Sequence, residues 1–376
     1  MQDKKVRILV DGMCPGKGGV QQYLMNLYRN IDESKIQLDF IVCGNECEYE
    51  DEIRELGGEI YYITPRKENV FKNIKGYYDI LRRKNTYDIV YYNLSCLYYN
   101  IPFLMSLISD IKIKIVHSHN SDSGDMSKLY YILHCLNRRV INKKATYFFM
   151  CSKLAGEWLF GKKIIEEGKV RLVPNAIDTS RFKYDEEKSI DLKRKYNLQN
   201  KFVIGHIGRF DYQKNHNFII DIFNDVVKIK PNSTLMLIGE GKLKNTIIDK
   251  VKKLGLEEKV IFLGNRDDIP DLLNIMDLFI FPSNYEGLGI VLIEAQATGL
   301  KCIVSDAVPK EACVTDNLKY LSLEKSSREW ANEVVSFKRE YIRTDRSEQI
   351  KLNGFEIVDM AHKFEEFIFK ITKNGE

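Results

Sequence analysis

The segment Phe279–Ala295 reads FIFPSNYEGLGIVLIEA and predicts a short buried strand, a polar turn and an apolar helix. Glycines leave backbone N–H groups bare at the helix start, where the helix dipole favours an anion such as phosphate. Glu286 lies in the turn, and Glu294 lies about two turns along the helix, since an α-helix repeats every ~3.6 residues. A carboxylate among apolar neighbours needs hydrogen-bond donors, which vicinal hydroxyls supply. The pattern fits a nucleotide sugar, and it equally fits an ordinary unit with one capping Glu and one salt-bridged Glu.

Length and composition favour a soluble protein of two domains. The chain has 376 residues, of which 44% are hydrophobic and 29% charged. No apolar run reaches the ~18 residues of a membrane span, and Met1–Lys5 leads only into the short run Ile8–Val10, so we expect a cytoplasmic protein without a secretory signal. The eight cysteines include no Cys-x2-Cys pair, which favours free thiols over a zinc site.

Positive charge is concentrated in the first half of the chain. Residues 60–165 contain 17 Lys and Arg against 7 Asp and Glu, mainly in the stretches 71–84 and 136–144, where aromatic and aliphatic residues are interleaved. Such helices favour peripheral contact with an anionic membrane surface, although a solvated helix face has the same composition. Nucleic acid is disfavoured as a partner, because no recognisable nucleic-acid module accompanies the charge.

Short apolar runs alternate with helical patterns along both halves of the chain. In the first half the predicted strands are Val6–Val10, Leu38–Val42, Ile60–Ile63, Ile89–Tyr92, Ile113–His117, Ala145–Met150 and Val170–Val173. In the second half they are Phe202–Ile207, Leu235–Ile238, Val260–Leu263, Leu278–Phe281 and Lys301–Ser305. Two long helices, Ser326–Lys338 and Arg346–Lys373, are predicted to follow. This order predicts parallel sheets that carry helices on both faces and bind ligands at the carboxyl ends of the strands.

Three loops that follow strands carry candidate binding residues. Gly16–Gly19 allows close approach to a phosphate but also fits a tight turn, and it does not meet the dinucleotide pattern G-x-G-x-x-G. His117 and His119 end the fifth strand without a carboxylate or cysteine at metal-ligand spacing, so structural roles compete with chemical ones. Arg209 and Lys214 can clamp a diphosphate, or can be surface charges on a loop.

The patterns EGLGI…EA at 286–295 and GRF…QKN at 208–215 together resemble the retaining glycosyltransferases of the family-4, or group 1, type. The resemblance implies an α/β protein of GT-B fold, with two Rossmann-like doubly wound parallel-sheet domains facing each other across a cleft. An acceptor-binding domain would cover residues 1–176 and a nucleotide-sugar-binding domain residues 177–354. The C-terminal helix, at about 355–376, would cross back to the first domain.

The resemblance also implies roles for individual residues. The expected catalytic residues are His119, Glu286, Arg209 and Lys214. His119 would orient the donor sugar, Glu286 would hold sugar hydroxyls, and Arg209 and Lys214 would bind the donor phosphates. Arg266 would cover the nucleobase, whereas Asp267 and Asp268 fit the start of a helix. Gln21 stands where many members have Glu. The expected donor-binding set is Gly18, Gly19, Arg209, Lys214, Gly239, Arg266, Glu286, Gly289, Ile290, Val291 and Glu294.

The implied reaction moves a sugar from a nucleoside diphosphate sugar, UDP favoured over GDP, to a glycan or lipid-linked oligosaccharide of bacterial capsule or exopolysaccharide synthesis. No metal-holding Asp-x-Asp lies between the motifs, so no metal or other cofactor is expected. The diphosphate would leave and the acceptor attack on one face of the sugar, which retains the anomeric configuration. Two alternatives stay open, a nucleotide-sugar 2-epimerase of the same fold and a donor-binding subunit without activity of its own.

Overall fold

The computed structural model describes residues 5–83, 86–122, 124, 126–336 and 341–373. The chain divides into two compact units. The first unit comprises Met1–Ala176 and Glu356–Glu376, and the second comprises Ile177–Phe355. The domain boundaries proposed from the sequence lie between residues 176 and 177 and between residues 354 and 355. Lys84 of the basic stretch lies outside the described residues.

The first unit is built on a parallel sheet of seven strands in the order β3-β2-β1-β4-β5-β6-β7. The strands are β1 Val6–Met13, β2 Ile36–Cys43, β3 Ile60–Ile63, β4 Ile89–Leu94, β5 Ile113–Ser118, β6 Tyr147–Met150 and β7 Val170–Leu172. The central strands β1, β2, β4 and β5 are largely buried on both faces, as expected for a parallel sheet covered by helices, whereas the edge strands β3 and β7 are partly exposed. All seven strands predicted in this half are confirmed.

Helices cover both faces of this first sheet. One layer consists of α1 Gly19–Asn30, α2 Glu50–Glu55 and the C-terminal helix α15. The opposite layer consists of α3 Val70–Leu81, α4 Ile101–Ser106, α5 Lys128–Lys144, α6 Lys153–Phe160 and α7 Lys162–Glu166. Among the described helices, none offers the continuous apolar length that a bilayer crossing requires.

The second unit repeats the architecture with six parallel strands in the order β10-β9-β8-β11-β12-β13. The strands are β8 Phe202–Ile207, β9 Ser233–Ile238, β10 Val260–Phe262, β11 Leu278–Phe281, β12 Cys302–Ser305 and β13 Leu318–Leu321. The helices are α8 Glu186–Lys195, α9 His216–Ile229, α10 Lys244–Lys253, α11 Ile269–Ile275, α12 Ile290–Ala297, α13 Ser327–Ser336 and α14 Ser347–Leu352. Short 3-10 turns occupy Thr179–Arg181, Glu257–Lys259 and Lys310–Ala312.

Two predictions for the end of the chain were wrong. The sheet pattern does not end at Ser305, because the edge strand β13 pairs with β12 although its LKYL sequence is too short and mixed to stand out. The predicted helix Arg346–Lys373 is two helices, α14 and α15 Ile357–Lys373. They part at Gly354, whose φ of 82° is a left-handed conformation that commonly ends a helix. The other long helix was predicted to end at Lys338, and residues 337–340 lie outside the described ones.

Helix α15 returns to the first unit, as predicted, and packs on α1. Its apolar residues recur at helical spacing and face the core beside β1 and β4. The buried positions are Ile357, Met360, Ala361, Phe364, Phe367, Ile368 and Ile371. The sheet of the first unit therefore depends on a segment that is remote in sequence.

Truncating α15 at a buried position should destabilise the protein. We expect Ile368→Ala to lower the free energy of unfolding by about 2–5 kcal/mol, because Ile368 is fully buried and its loss leaves a cavity. Val358→Ala on the exposed side of the same helix is the matched control and should cost less than about 1 kcal/mol. Urea unfolding of both variants tests this, and equal losses would contradict the packing described.

Candidate active site

An ion pair between Lys214 and Glu286 lies where β8 and β11, neighbours in the second sheet, end. Lys214 Nζ is 2.6 Å from Glu286 Oε1, and the two side chains are 15% and 5% exposed. Gln213 Nε2 donates a 3.3 Å hydrogen bond to the other oxygen, Glu286 Oε2. The Lys214 ammonium also lies 4.5 Å from the centre of the Phe281 ring. The structure thus brings together two of the residues predicted to be catalytic.

Side-chain amides connect the two loops that carry this pair. Asn215 Nδ2 donates to the Pro282 carbonyl at 3.1 Å, and Asn284 Nδ2 donates to the Tyr212 carbonyl at 2.6 Å. The Asn284 backbone N–H donates to the Gln213 carbonyl at 2.8 Å. Asn215 has a φ of 54°, a left-handed conformation that asparagine tolerates better than most residues. The loops therefore hold Lys214 against Glu286 before any ligand binds.

Asp211 links the two predicted phosphate-binding cations. Its Oδ2 accepts a 2.8 Å hydrogen bond from Arg209 Nε, and its Oδ1 accepts a 3.3 Å bond from the Lys214 backbone N–H. The Arg209 side chain is 71% exposed, so its terminal N–H groups face solvent. Sequence reasoning missed Asp211 and Gln213 as site residues, although both lie between the two predicted cations.

Gly239 allows the loop after β8 to approach the loop after β9. A Cβ at Gly239 would lie 2.2 Å from the Gly208 carbonyl oxygen, and the φ of 133° is itself unfavourable for other residues. The Gly208 N–H donates to the Ile238 carbonyl at 2.9 Å. Gly239 therefore acts through backbone packing next to the predicted phosphate-binding loop.

The start of α12, the helix that follows β11, supplies backbone donors at the same edge of the sheet. Gly289 adopts a left-handed φ of 81° at the N-cap and makes no side-chain cap. The first N–H groups of a helix have no carbonyl partner within it, so the amides of Ile290 and Val291 suit an anion. Glu294 lies four residues after Ile290, so it is about one turn into the buried helix and not two as predicted, because the helix begins at Ile290.

Arg266 is held by Asp268 on the loop after β10. Arg266 Nε donates to Asp268 Oδ1 at 2.8 Å, and the guanidinium hydrogen bond lowers the pKa of the Asp268 carboxyl. Asp268 occupies the N-cap position of α11, as the sequence suggested, but its side chain makes no capping hydrogen bond. Its carboxylate is engaged by Arg266 instead.

Two histidines lie behind the ion pair in the second unit. His206 Nδ1 is 2.9 Å from the Ile280 carbonyl, and the His216 ring stacks on Phe210 with ring centres 3.9 Å apart. Burial lowers the pKa of His216 to about 3, and the charge of Lys214 acts in the same direction. Burial also holds the pKa of His206 well below its ordinary value. Both rings are therefore neutral near pH 7, which leaves Lys214 as the cation against Glu286.

In the first unit, His119 is held by Asn93, which sequence reasoning also missed. Asn93 Nδ2 donates to the Asp11 carbonyl at 3.2 Å, which turns Asn93 Oδ1 towards His119 Nε2 at 2.8 Å. His119 Nε2 must therefore carry the proton, and Nδ1 keeps its lone pair. Nδ1 is buried without a hydrogen bond of standard geometry, although the Asn175 side chain lies close enough to raise the pKa of His119 slightly against the effect of burial. Burial lowers the pKa of His119 to about 3, so the ring is a neutral acceptor.

His117 differs from His119 because both of its ring nitrogens have partners. Its Nε2 lies 3.2 Å from the Val173 carbonyl and must donate to it. Its Nδ1 then accepts from the Tyr91 hydroxyl at 2.6 Å, and Tyr91 in turn accepts from Tyr23 at 2.9 Å. This closed network gives His117 a structural role and leaves His119 available.

The glycine loop of the first unit begins α1. Gly18 is the N-cap of that helix and Gly19 its first residue. Gln21 turns back on the loop, where its Nε2 donates to the Cys14 carbonyl at 3.4 Å. The side-chain amide at this position is thus used within the loop itself.

Two family models match the chain in succession. Residues 17–181 match the model described as Glycosyltransferase Family 4, and residues 188–354 match the model described as Glycosyl transferases group 1. The putative glycosyltransferase EpsF of Bacillus subtilis (strain 168) is 31% identical over 353 residues, which cover 90% of this chain and 91% of EpsF. The chain belongs to glycosyltransferase family 4.

Other comparisons agree with this family 4 membership. The UDP-Gal:alpha-D-GlcNAc-diphosphoundecaprenol alpha-1,3-galactosyltransferase of Escherichia coli is 24% identical over 316 residues, 72% of this chain and 79% of that protein. The crystal structure of Anabaena HepE in complex with UDP and glucose superposes with a TM-score of 0.79 at 18% identity, over 96% of this chain and 99% of HepE. These findings confirm the predicted resemblance, the GT-B fold and the transferase class.

The buried histidines of this family 4 protein should make its stability fall in mild acid. The unfolded chain protonates its histidines near pH 6.5, whereas the folded protein does not, so stability decreases as pH falls below that value. Burial places the pKa near 3 for His119 and His216, near 4 for His134, and well below the ordinary value for His117 and His206. Asp11 has the opposite effect on stability, because burial raises its pKa to about 6. As the pH falls, the folded protein therefore binds a proton at Asp11 before the unfolded chain does.

We expect the free energy of unfolding, measured by urea denaturation, to fall by up to about 1.4 kcal/mol per pH unit for each buried histidine between pH 6.5 and pH 5. The proton taken up by Asp11 should offset this loss by the equivalent of one histidine. The measurement compares unfolding free energies at pH 7.5, 6.5, 5.8 and 5.0 at constant ionic strength. A flat profile over this range would show that the rings are not buried in the neutral form.

Proposed function

We propose that the enzyme transfers a sugar from a UDP-sugar to a glycan or lipid-linked acceptor in bacterial surface polysaccharide synthesis, with retention of the anomeric configuration and without a metal ion. The observation that carries the proposal is the buried Lys214–Glu286 pair, tied through Asp211 to Arg209 at the carboxyl ends of adjacent strands. The E. coli relative is named for a UDP-Gal donor and a diphosphoundecaprenol acceptor, and HepE was crystallised with UDP. Both favour UDP as the donor nucleotide.

The ion pair is compatible with a bound diphosphate. An ammonium has three N–H donors, and Glu286 Oε1 occupies one of them, so two remain for phosphate oxygens. Arg209 uses its Nε with Asp211 and keeps its terminal N–H groups for a second phosphate. The amides of Ile290 and Val291 add helix-terminus donors. In this arrangement the sites of positive charge lie where a leaving diphosphate gains charge, which is the role a metal would otherwise have.

Glu286 suits hydroxyl binding better than covalent catalysis. Its Oε1 is neutralised by Lys214, which weakens it as a nucleophile, and its Oε2 has a long 3.3 Å hydrogen bond that a sugar hydroxyl can replace. We therefore favour departure and attack on the same face. The bond between the anomeric carbon and the diphosphate oxygen breaks, the acceptor oxygen forms the new bond, and its proton passes to the diphosphate.

His119 can receive a hydroxyl of the donor sugar. A sugar hydroxyl would donate to its Nδ1 lone pair in place of the loose contact with Asn175, and the neutral ring adds no positive charge that would compete for the diphosphate. Gly18 and Gly19 begin α1 on the same edge of the first sheet, because their loop follows β1 and His119 follows β5.

The first unit also offers a surface that suits a membrane-bound acceptor. Helix α5 contains five Lys and Arg and no Asp or Glu. The side chains of Leu129, Ile132 and Leu136 on this helix are exposed. Basic and apolar groups on one exposed helix favour peripheral contact with an anionic bilayer, which is part of the proposal.

Binding of the donor nucleotide should stabilise the native protein. We expect UDP and UDP-sugars to raise the melting temperature at concentrations where GDP does not, because a ligand that binds only the native state stabilises it in proportion to the logarithm of its concentration. Differential scanning fluorimetry with UDP, GDP and their sugars, with and without EDTA, measures this. A larger shift with GDP, or loss of the UDP shift in EDTA, would contradict the proposed donor or the absence of a metal.

Removing either member of the ion pair should abolish transfer. We expect Lys214→Ala and Glu286→Gln each to lower kcat/KM by about 100-fold or more, since each removes a charged contact to the donor. Lys228→Ala is the matched control, because it breaks the exposed Lys228–Asp225 pair of the same unit and should change activity less than twofold, or about 0.4 kcal/mol.

The same assay separates the competing functions. Turnover is followed by release of UDP, and the anomeric configuration of the product by NMR. A 2-epimerase would instead convert its nucleotide sugar without an acceptor, and an inactive subunit would support polysaccharide synthesis in cells regardless of the two substitutions.

A further inference from the structure

Arg66 of the first unit is held by aromatic rings instead of a carboxylate. Its Cζ lies 4.5 Å from the centre of the Tyr99 ring and 5.1 Å from that of the Tyr98 ring. Both distances are within cation–π range. In the part of the chain that the structure describes, no Asp or Glu forms an ion pair with Arg66. Its positive charge is therefore available to an anion from outside the protein.

Hydrogen bonds and stacking fix the two rings that hold Arg66. The Tyr99 hydroxyl donates to Asn73 Oδ1 at 2.7 Å, and Asn73 Nδ2 donates to the Thr64 carbonyl at 2.7 Å. Tyr98 stacks on Tyr130 with ring centres 5.0 Å apart. Arg66 also shares a side-chain hydrogen bond with Tyr98, which leaves most of its five N–H groups for a phosphate. We call Arg66, Tyr98, Tyr99 and Tyr130 the arginine clamp.

The clamp lies on the ligand-binding edge of the first sheet. Arg66 follows β3, Tyr98 and Tyr99 follow β4, and Tyr130 begins the helix that follows β5. In a parallel sheet these connections all leave the carboxyl ends of the strands. The loop that contains Gly18 and the strand end that precedes His119 lie on the same edge.

The helix that carries Tyr130 also bears exposed apolar side chains. At 3.6 residues per turn, Leu129, Ile132 and Leu136 form one stripe on α5 that begins about a quarter-turn round the helix from Tyr130. All three are exposed, and the helix carries basic residues but no acidic ones. A guanidinium that can bind an anion and a helix nearby with an exposed apolar stripe match an amphiphile whose flexible hydrocarbon chain starts at a phosphate group.

We propose that the arginine clamp binds the phosphate or diphosphate of a lipid-linked acceptor, with the first part of the lipid chain along Leu129, Ile132 and Leu136. The inference rests on the proposed function, because it names the acceptor class of the same enzyme. It assigns phosphate recognition to Arg66, a residue separate from the donor-binding cations of the second unit. The sugar to be extended would then lie on the edge that carries His119.

The test measures binding of geranyl diphosphate by isothermal titration calorimetry, with saturating UDP present to occupy the proposed donor site. Arg83→Gln is the matched control, because Arg83 also lies over a tyrosine, with Cζ 4.5 Å from the Tyr61 ring centre, but follows the end of α3, away from the clamp. We expect Arg66→Gln to weaken binding at least about tenfold, the loss of one charge-assisted contact, and Arg83→Gln to change it less than about twofold. Arg66→Lys, which keeps the charge but loses the planar stack, should be intermediate. Melting temperatures verify that each variant is folded.

Two further probes separate the sources of affinity. Inorganic pyrophosphate should bind more weakly than geranyl diphosphate, and geraniol should be insensitive to Arg66→Gln. Equal affinity for pyrophosphate and geranyl diphosphate would overturn the lipid assignment, and equal losses in Arg66→Gln and Arg83→Gln would overturn the role of Arg66. Failure of UDP to bind at all would count against the proposed function, whereas UDP binding without geranyl diphosphate binding would overturn the clamp alone.

Discussion

The site in the second unit depends on keeping one charged pair away from water. Removing Lys214 and Glu286 from solvent costs several kcal/mol per ion, and their attraction offsets this only with good geometry and further hydrogen bonds. Gln213 supplies one such bond, and the Asn215 and Asn284 amides lock the two loops so that the geometry is fixed. A hydrophobic pair of similar size would hold these loops at lower cost. The charges are therefore better explained by ligand binding than by stability.

The two units handle polarity in different ways at their strand ends. In the second unit the predicted ligands are charged and paired, which suits a diphosphate. In the first unit His119 and its partner Asn93 are neutral, because burial keeps the ring unprotonated. Neutral donors and acceptors suit sugar hydroxyls, which carry no charge to be balanced. Arg66 differs from His119 and Asn93 in carrying a charge, and its setting among tyrosines is the basis for the separate phosphate site proposed above.

The sequence predicted the features that local patterns encode and missed those created by folding. Twelve of the strands follow continuous apolar runs and were predicted, whereas β13 has the mixed sequence LKYL and was not. Gly354 was predicted to lie inside one long helix, because the sequence does not show whether a glycine adopts a left-handed φ. Arg209, Lys214 and Glu286 stood out through motifs. Asp211, Asn93 and Arg66 did not stand out, because only the fold brings them to the groups they contact. Asp211 contacts a backbone N–H, and Asn93 and Arg66 contact residues that follow other strands.

Pairing with carboxylates recurs at all three cations of the expected donor site. Glu286 accompanies Lys214, Asp211 accompanies Arg209, and Asp268 accompanies Arg266. Each pair has no net charge, so long-range attraction contributes little to the capture of a diphosphate. Selectivity must then come from N–H groups that stay available on each cation and from their spacing, since a phosphate satisfies several at once only in one geometry. The proposed donor site would therefore distinguish a diphosphate from other anions by shape more than by charge, and Glu286 keeps the buried Lys214 from being an unpaired cation.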